Sequence, residues 1–168
     1  MKYLIIISLN LFYFISSYPN YEYIEINSIK INHKYAFTLS KADILSIANC
    51  RVESKIDTVN FLEEITCQGN TFIRDFSNDK LTQNQHFFHF ERIVLSNKIS
   101  LYLGRIKISN KTDYLTLKRH FPNSMIKPVF GKTYRLGLKS NGKLYDSYLD
   151  IELKENHVNS ISYFEDNS

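Results

Sequence analysis

The residues of this sequence able to do chemistry are few: two cysteines, five histidines and a handful of close acids. Cys50 and Cys67 are the only cysteines. An even count in an exported chain usually means pairing, because thiols oxidise outside the reducing cytosol. The expectation is a Cys50–Cys67 disulfide, closing a loop of about 18 residues and stabilising by roughly 3 kcal/mol on the chain-entropy estimate. No Cys-x-x-Cys spacing marks an oxidoreductase thiol. His86 and His89 resemble a metal pair on paper, but on a strand residues three apart point to opposite faces. The remaining histidines, His33, His120 and His157, lie far apart in sequence, and no His-Glu-x-x-His ligand set exists. Acid pairs occur at Glu63-Glu64 and at Asp150, Glu152. Asp150 and Glu152 would share a strand face, close enough to resemble a glycosidase pair, but that chemistry also needs a substantial cleft. There is no glycine-rich phosphate loop and no Gly-x-Ser-x-Gly elbow. The expectation is therefore no catalytic residue, no metal and no cofactor. Asn110-Lys-Thr112 is a lone glycosylation sequon, relevant only in a eukaryotic source.

Recognition chemistry is better supplied. The chain carries 12 Tyr and 12 Phe but no Trp. Tyrosine serves recognition surfaces because it offers large area with few rotatable bonds. Tyr134, Tyr145, Tyr148, Phe88 and Phe90 are the candidates for a binding face, with Phe87 and Tyr163 nearby in sequence. Core packing and cross-strand pairing are the competing roles for the same side chains.

The elements that must position these residues read mostly as strands. Tyr23 to Ile31 alternates, with a break expected near Asn27-Ser28. Ser40 is an N-cap whose hydroxyl can accept from the first turn, and Asp43 can answer it. Ile44, Leu45, Ile47 and Ala48 supply an apolar helical face, and the helix ends near Asn49-Cys50. Gln68-Gly69-Asn70 turns the chain, placing Cys67 at a hairpin corner. His86 to Leu95 and Ile99 to Ile108 read as strands, with Gly104 weakening or bulging the second. Asn110 reads as the cap of a second helix, which Pro122 stops. Met125 to Phe130 reads as extended. Ser140-Asn141-Gly142 is the clearest hairpin turn, since Asn-Gly supplies two positive φ angles. Tyr148, Asp150 and Glu152 alternate with Leu149, Ile151 and Leu153. Glu155-Asn156-His157 turns into a final strand from Val158 to Phe164.

Before this fold comes a leader. Met1-Lys2 followed by an apolar run to Ile15 and then Ser16-Ser17 reads as a signal peptide, residues 1–17. The run is short for a bilayer span, and no second one follows. The mature chain is expected to be secreted or periplasmic, with no membrane span. Its formal charge of +4 becomes +3 once Lys2 is removed. Lys and Arg are spread between acids along the chain, so no nucleic-acid partner is expected.

Two stretches echo each other. Ser40, Lys41, Asp43, Leu45 and Ile47 align with Asn110, Lys111, Asp113, Leu115 and Leu117. The fold class expected is α+β and mostly β: two tandem units, each a short helix on an antiparallel meander, over 18–105 and 106–168. The helix Leu39-Ser-Lys-Ala-Asp-Ile-Leu-Ser-Ile-Ala with a following Cys, and the Cys67-Gln68-Gly69 hairpin, resemble the first half of the beta-lactamase inhibitor protein fold. The small outer-membrane assembly lipoproteins are similar, with one unit. Phe121-Pro-Asn-Ser124 also resembles exported proteins of Bacteroidetes-like bacteria. The resemblance implies a concave sheet face and, again, a Cys50–Cys67 pairing. The family's second-half cysteines, and the glycine before its helix, are missing here. The expected function is an exported, non-enzymatic binding or cell-envelope protein that holds an unknown protein or cell-surface polymer on a sheet face. The alternatives are a small pocket-containing hydrolase or ligand carrier, and a toxin-immunity protein.

Overall fold

A computed structural model describes residues 21–48, 53–75 and 87–165. The expected leader, Cys50 and His86 lie outside the described residues. The fold is α+β and mostly β. In chain order it runs β1 (Tyr23–Glu25), a 3-10 turn (Ile26–Ser28), β2 (Ile29–Ile31), β3 (Tyr35–Ala36), β4 (Thr38–Leu39) and α1 (Lys41–Ala48). The meander β5 (Glu53–Asp57), β6 (Leu62–Cys67), β7 (Asn70–Asp75) and β8 (Phe88–Val94) follows. Next come β9 (Leu101–Leu103), β10 (Ile106–Ile108), α2 (Tyr114–His120), β11 (Thr133–Ser140), β12 (Lys143–Lys154) and β13 (His157–Glu165).

These strands make two sheets. The larger has nine strands in the order β1-β11-β12-β13-β8-β7-β6-β5, with β4 added beside β8. The smaller has four, in the order β10-β9-β2-β3. The expected break at Asn27-Ser28 is the 3-10 turn, and it sends the chain from one sheet to the other. β1 pairs parallel with β11, whereas β2 pairs antiparallel with β9. The two meanders meet where β8 and β13 run antiparallel, with Ile93 opposite Ile161.

One apolar cluster holds everything together. It takes Ile29, Ile31, Leu101, Leu103 and Ile108 from the small sheet, and Leu136, Leu149, Ile151, Ile161, Ile93, Phe90 and Phe72 from the large one. Ile44 and Ile47 of α1 and Leu117 of α2 close it. Each such side chain stabilises by about 1.5–3 kcal/mol when fully buried. Leu45 and Leu115, aligned in the sequence echo, are both half exposed and stay outside it.

The helix starts differ from the echo. Ser40 caps α1 as expected: its Oγ accepts from the Asp43 amide at 3.1 Å, and Asp43 Oδ2 accepts from the Ser40 amide at 3.0 Å and its hydroxyl at 2.6 Å. The second cap is Asp113, not Asn110; its carboxylate accepts from the Thr116 amide at 2.7 Å. The reason is a turn just before it. The Thr112 hydroxyl accepts from the Ser109 amide, and the Val158 amide donates to the Thr112 carbonyl, so 109–112 is tied to the sheet before the helix begins.

Turn chemistry is close to expectation. Asn141 and Gly142 take φ 51° and 76°, and Glu155 and Asn156 take 51° and 69°. Primed turns of this kind match the right-handed twist of the strands they join. The expected strand from Ile99 to Ile108 is instead the hairpin β9–β10, folded at Gly104. Met125 to Phe130 is irregular, not extended.

Candidate functional site

The large sheet has a covered face and an open one, and period-2 alternation decides which residue goes where. On β12, Leu149, Ile151 and Leu153 are buried while Tyr148, Asp150 and Glu152 are partly open. Pairing then lines up rows across the open face. One row runs Arg135, Asp150, Ser162, Arg92 from β11 to β8. A second runs Thr133, Glu152, Ser160. A third runs Tyr23, Gly137, Tyr148, Phe164 from β1 to β13. The face thus carries an aromatic row, a charged row and a hydroxyl row side by side.

Arg135 joins the first and third rows. Its Nε and Nη2 donate to the two oxygens of Asp150, both at 2.7 Å. Its guanidinium carbon lies 4.7 Å from the Tyr148 ring centre and 5.0 Å from that of Phe164. A two-pronged carboxylate contact fixes the plane of the group, and flanking rings favour the cation by about 0.5–2 kcal/mol each. The Asp150 contact raises the Arg135 pKa further above its already high value, so its charge is permanent. Tyr21 meets Tyr148 edge-on at 6.0 Å. Gly137 makes the aromatic row possible: a Cβ there would sit 2.4 Å from the Tyr23 ring.

At the other end, Glu152 accepts from Ser160 Oγ at 2.5 Å, Arg92 Nη2 at 3.1 Å and Asn159 Nδ2 at 3.2 Å. The Ser160 hydroxyl is the largest cause that holds its carboxyl below the usual range. Asp150 and Glu152 are each matched by an arginine.

A loop from Phe121 to Lys132 overhangs this face. Buried Phe121, Met125 and Ser124 anchor it, and the Tyr114 hydroxyl donates to the Met125 carbonyl at 2.9 Å. Glu22 clamps it from the N-terminal side, accepting from the Asn123 and Ser124 amides at 2.8 and 2.7 Å. Burial pushes the Glu22 carboxyl up, but these bonds and the Ser124 side chain outweigh it and hold the pKa low. So anchored, the loop holds Ile126 and Phe130 71% and 84% exposed. Beside it lies a groove of about 500 Å³ over the charged and hydroxyl rows, walled by Val129 and Phe130. A second cleft of about 510 Å³ lies on the Tyr21 side, lined by Ile126, Pro128 and Val129.

The residues singled out from sequence divide sharply. Tyr148 stands in the aromatic row. Tyr145 is exposed near the tip of the same hairpin. Tyr134 is packed against the core and its ring lies 5.5 Å from that of Tyr114. Phe88 and Phe90 are corrected: both are core residues, 1% and 0% exposed, because their face of β8 points inward with Phe72 and Leu39. Phe87, by contrast, is exposed. Tyr163 faces inward and its hydroxyl donates to Ser147. His89 sits among Phe37 and Tyr163, with ring centres 6.1 and 5.2 Å away. Glu63 is bound by Lys41 and Arg74. Cys67 is buried at the end of β6. Among the described residues no group of three or more His, Cys, Asp or Glu is placed to hold a metal, and no helix is long and apolar enough to cross a membrane.

Sequence reading missed Tyr23, Arg135, Gly137 and Phe164, and the exposure of Phe130. The alternation in β11 puts Arg135 opposite in face to Leu136, which was a usable signal. Comparison with protein-family models, with curated proteins and with solved structures gives no match to this chain.

Proposed function

We propose that this is an exported, non-enzymatic binding protein that docks a partner protein on the open face of its large sheet. The observation that carries this reading is the cluster of Arg135, Tyr148 and Phe164 beside the raised, exposed Phe130. Aromatic residues and arginine are the types enriched where binding energy concentrates at protein interfaces. Here they are held rigid in advance by the sheet and by the Asp150 contact, so little ordering cost falls due on association. The groove is open, and its two carboxylates are already neutralised by arginines, which favours docking over acid–base catalysis. Photo-crosslinking tests the proposal. A benzophenone side chain placed at position 130 should capture one partner from the native source, and one placed at exposed Leu115 on α2 should not. Equal capture from both positions would remove the sheet face from the account.

A further inference from the structure

The small sheet carries a second surface of different chemistry. Its inner face is Ile29, Ile31, Leu101, Leu103 and Ile108, all buried. Its outer face sets Lys30, Tyr102 and Lys107 directly opposite one another on β2, β9 and β10. The Lys107 ammonium lies 6.0 Å from the centre of the Tyr102 ring, and His33 meets that ring edge-on at 4.9 Å. At one end of this row a cleft of about 480 Å³ opens, lined by Lys98, Lys107, Lys111, Tyr102, Asn97 and Asn110 among others.

Charge is segregated here by the pairing of two acid-free stretches. Residues 26–42 and 92–112 contain no Asp or Glu. The sheet is built from these two stretches, so Lys30, Lys34, Lys98, Arg105, Lys107 and Lys111 gather on it, and all six are exposed. Among the described residues none of the six makes an ion pair. Asp43 of α1 feels the charge of Lys34 without pairing with it. Burial of the inner face explains the Ile and Leu positions. It does not explain a gathering of exposed lysines that form no ion pair among the described residues, since their mutual repulsion opposes folding.

We propose that this face binds an anionic saccharide, a polymer bearing carboxylate or sulfate groups. A cation-lined cleft concentrates anions, and the effect is screened by salt. The amides of Asn97 and Asn110 offer both donors and acceptors to sugar hydroxyls. Tyr102 gives a single flat apolar ring for one sugar face. A nucleic-acid strand is the weaker fit: its sites present successive aromatic platforms and favour arginine forks, whereas this face has one such ring and five lysines to one arginine. The site is independent of the large-sheet face, so failure of one leaves the other standing.

The test uses the full chain in low salt with fluorescent sulfated and carboxylated oligosaccharides, heparin hexasaccharide and oligogalacturonate, and neutral dextran as control. At least one acidic probe should bind and dextran should not; which one binds identifies the charged group. The variant carrying Lys30→Gln, Lys98→Gln and Lys107→Gln should weaken that binding at least tenfold. A matched variant carrying Lys55→Gln, Lys127→Gln and Lys143→Gln should change it less than twofold. Circular dichroism of both variants confirms that they fold. Binding of neither acidic probe, equal weakening by both variants, or tighter binding of a single-stranded oligonucleotide or anionic vesicle would each overturn the proposal.

Discussion

Arg135 shows how one side chain can organise a surface. Asp150 fixes its plane, Tyr148 and Phe164 flank it, and Gly137 leaves room for Tyr23 to extend the aromatic row. None of this pairing was readable from the hairpin turn alone. Lys143 opposite Ser140 is the register an Asn-Gly turn dictates, and continued without interruption it would put Tyr148 opposite Arg135. The structure has an irregularity after Gly137–Leu138, which moves Asp150 into that place. A shift of two keeps every side chain on its face, so face membership was legible and partnership was not. His89 offers a different test at this scale. Burial lowers its pKa, against the opposing pull of Glu165 and Asp75. Above its ordinary value of about 6.5 it is neutral in both folded and unfolded chains. As pH falls through that value the unfolded chain takes up a proton that the folded chain resists, so stability is full above about pH 7 and declines below it. The decline levels off once pH passes the lowered folded value. The urea midpoint should therefore drop between pH 7.5 and 5.5 in the natural chain and drop less in His89→Phe. Parallel curves would mean that His89 does not titrate differently on folding.

At the scale of elements, the two helices depend on caps because both are short. A helix of eight residues is marginal in isolation, so docking of Ile44 and Ile47 and the reciprocal Ser40–Asp43 bonds must hold α1. Ser40→Ala should cost about 1 kcal/mol, read as the shift in denaturation midpoint, and Asp113→Ala should lower that midpoint as well. Asn110→Ala should cost less than half as much. A larger loss from Asn110→Ala than from Asp113→Ala would restore the cap position suggested by the sequence echo. That echo aligned Ser40 with Asn110 because residue types matched, but Thr112 ties its neighbourhood to β13 and delays the helix by three residues. Sequence could show a cap-like pattern; it could not show which backbone amides the sheet had already claimed. The same limit applies to Phe88 and Phe90. Their alternation with His89 and Glu91 was visible, yet only the pairing of β8 with β4, β7 and β13 shows that their face is the inner one.

At the scale of the molecule, two meanders and a small sheet close on one core and leave two surfaces of contrasting chemistry. The large sheet presents aromatic, charged and hydroxyl rows; the small one gathers exposed lysines. The α+β, mostly β class was legible from alternation and turns. The clustering of charge was not, since the basic residues of the small sheet come from stretches some seventy residues apart and meet only by strand pairing. We propose in addition that Cys67 pairs with Cys50. Non-reducing mass spectrometry of protein from its native compartment should show that link, and two free thiols would contradict it. The central claim is that the open face around Arg135 and Phe130 docks a protein. The most direct measurement is capture by the photo-crosslinker at position 130, repeated in the background of Arg135→Ala with Tyr148→Ala, with fold checked by circular dichroism. The account expects one partner captured by the natural face and at least tenfold less by the doubly substituted one. Undiminished capture by the substituted face would contradict it.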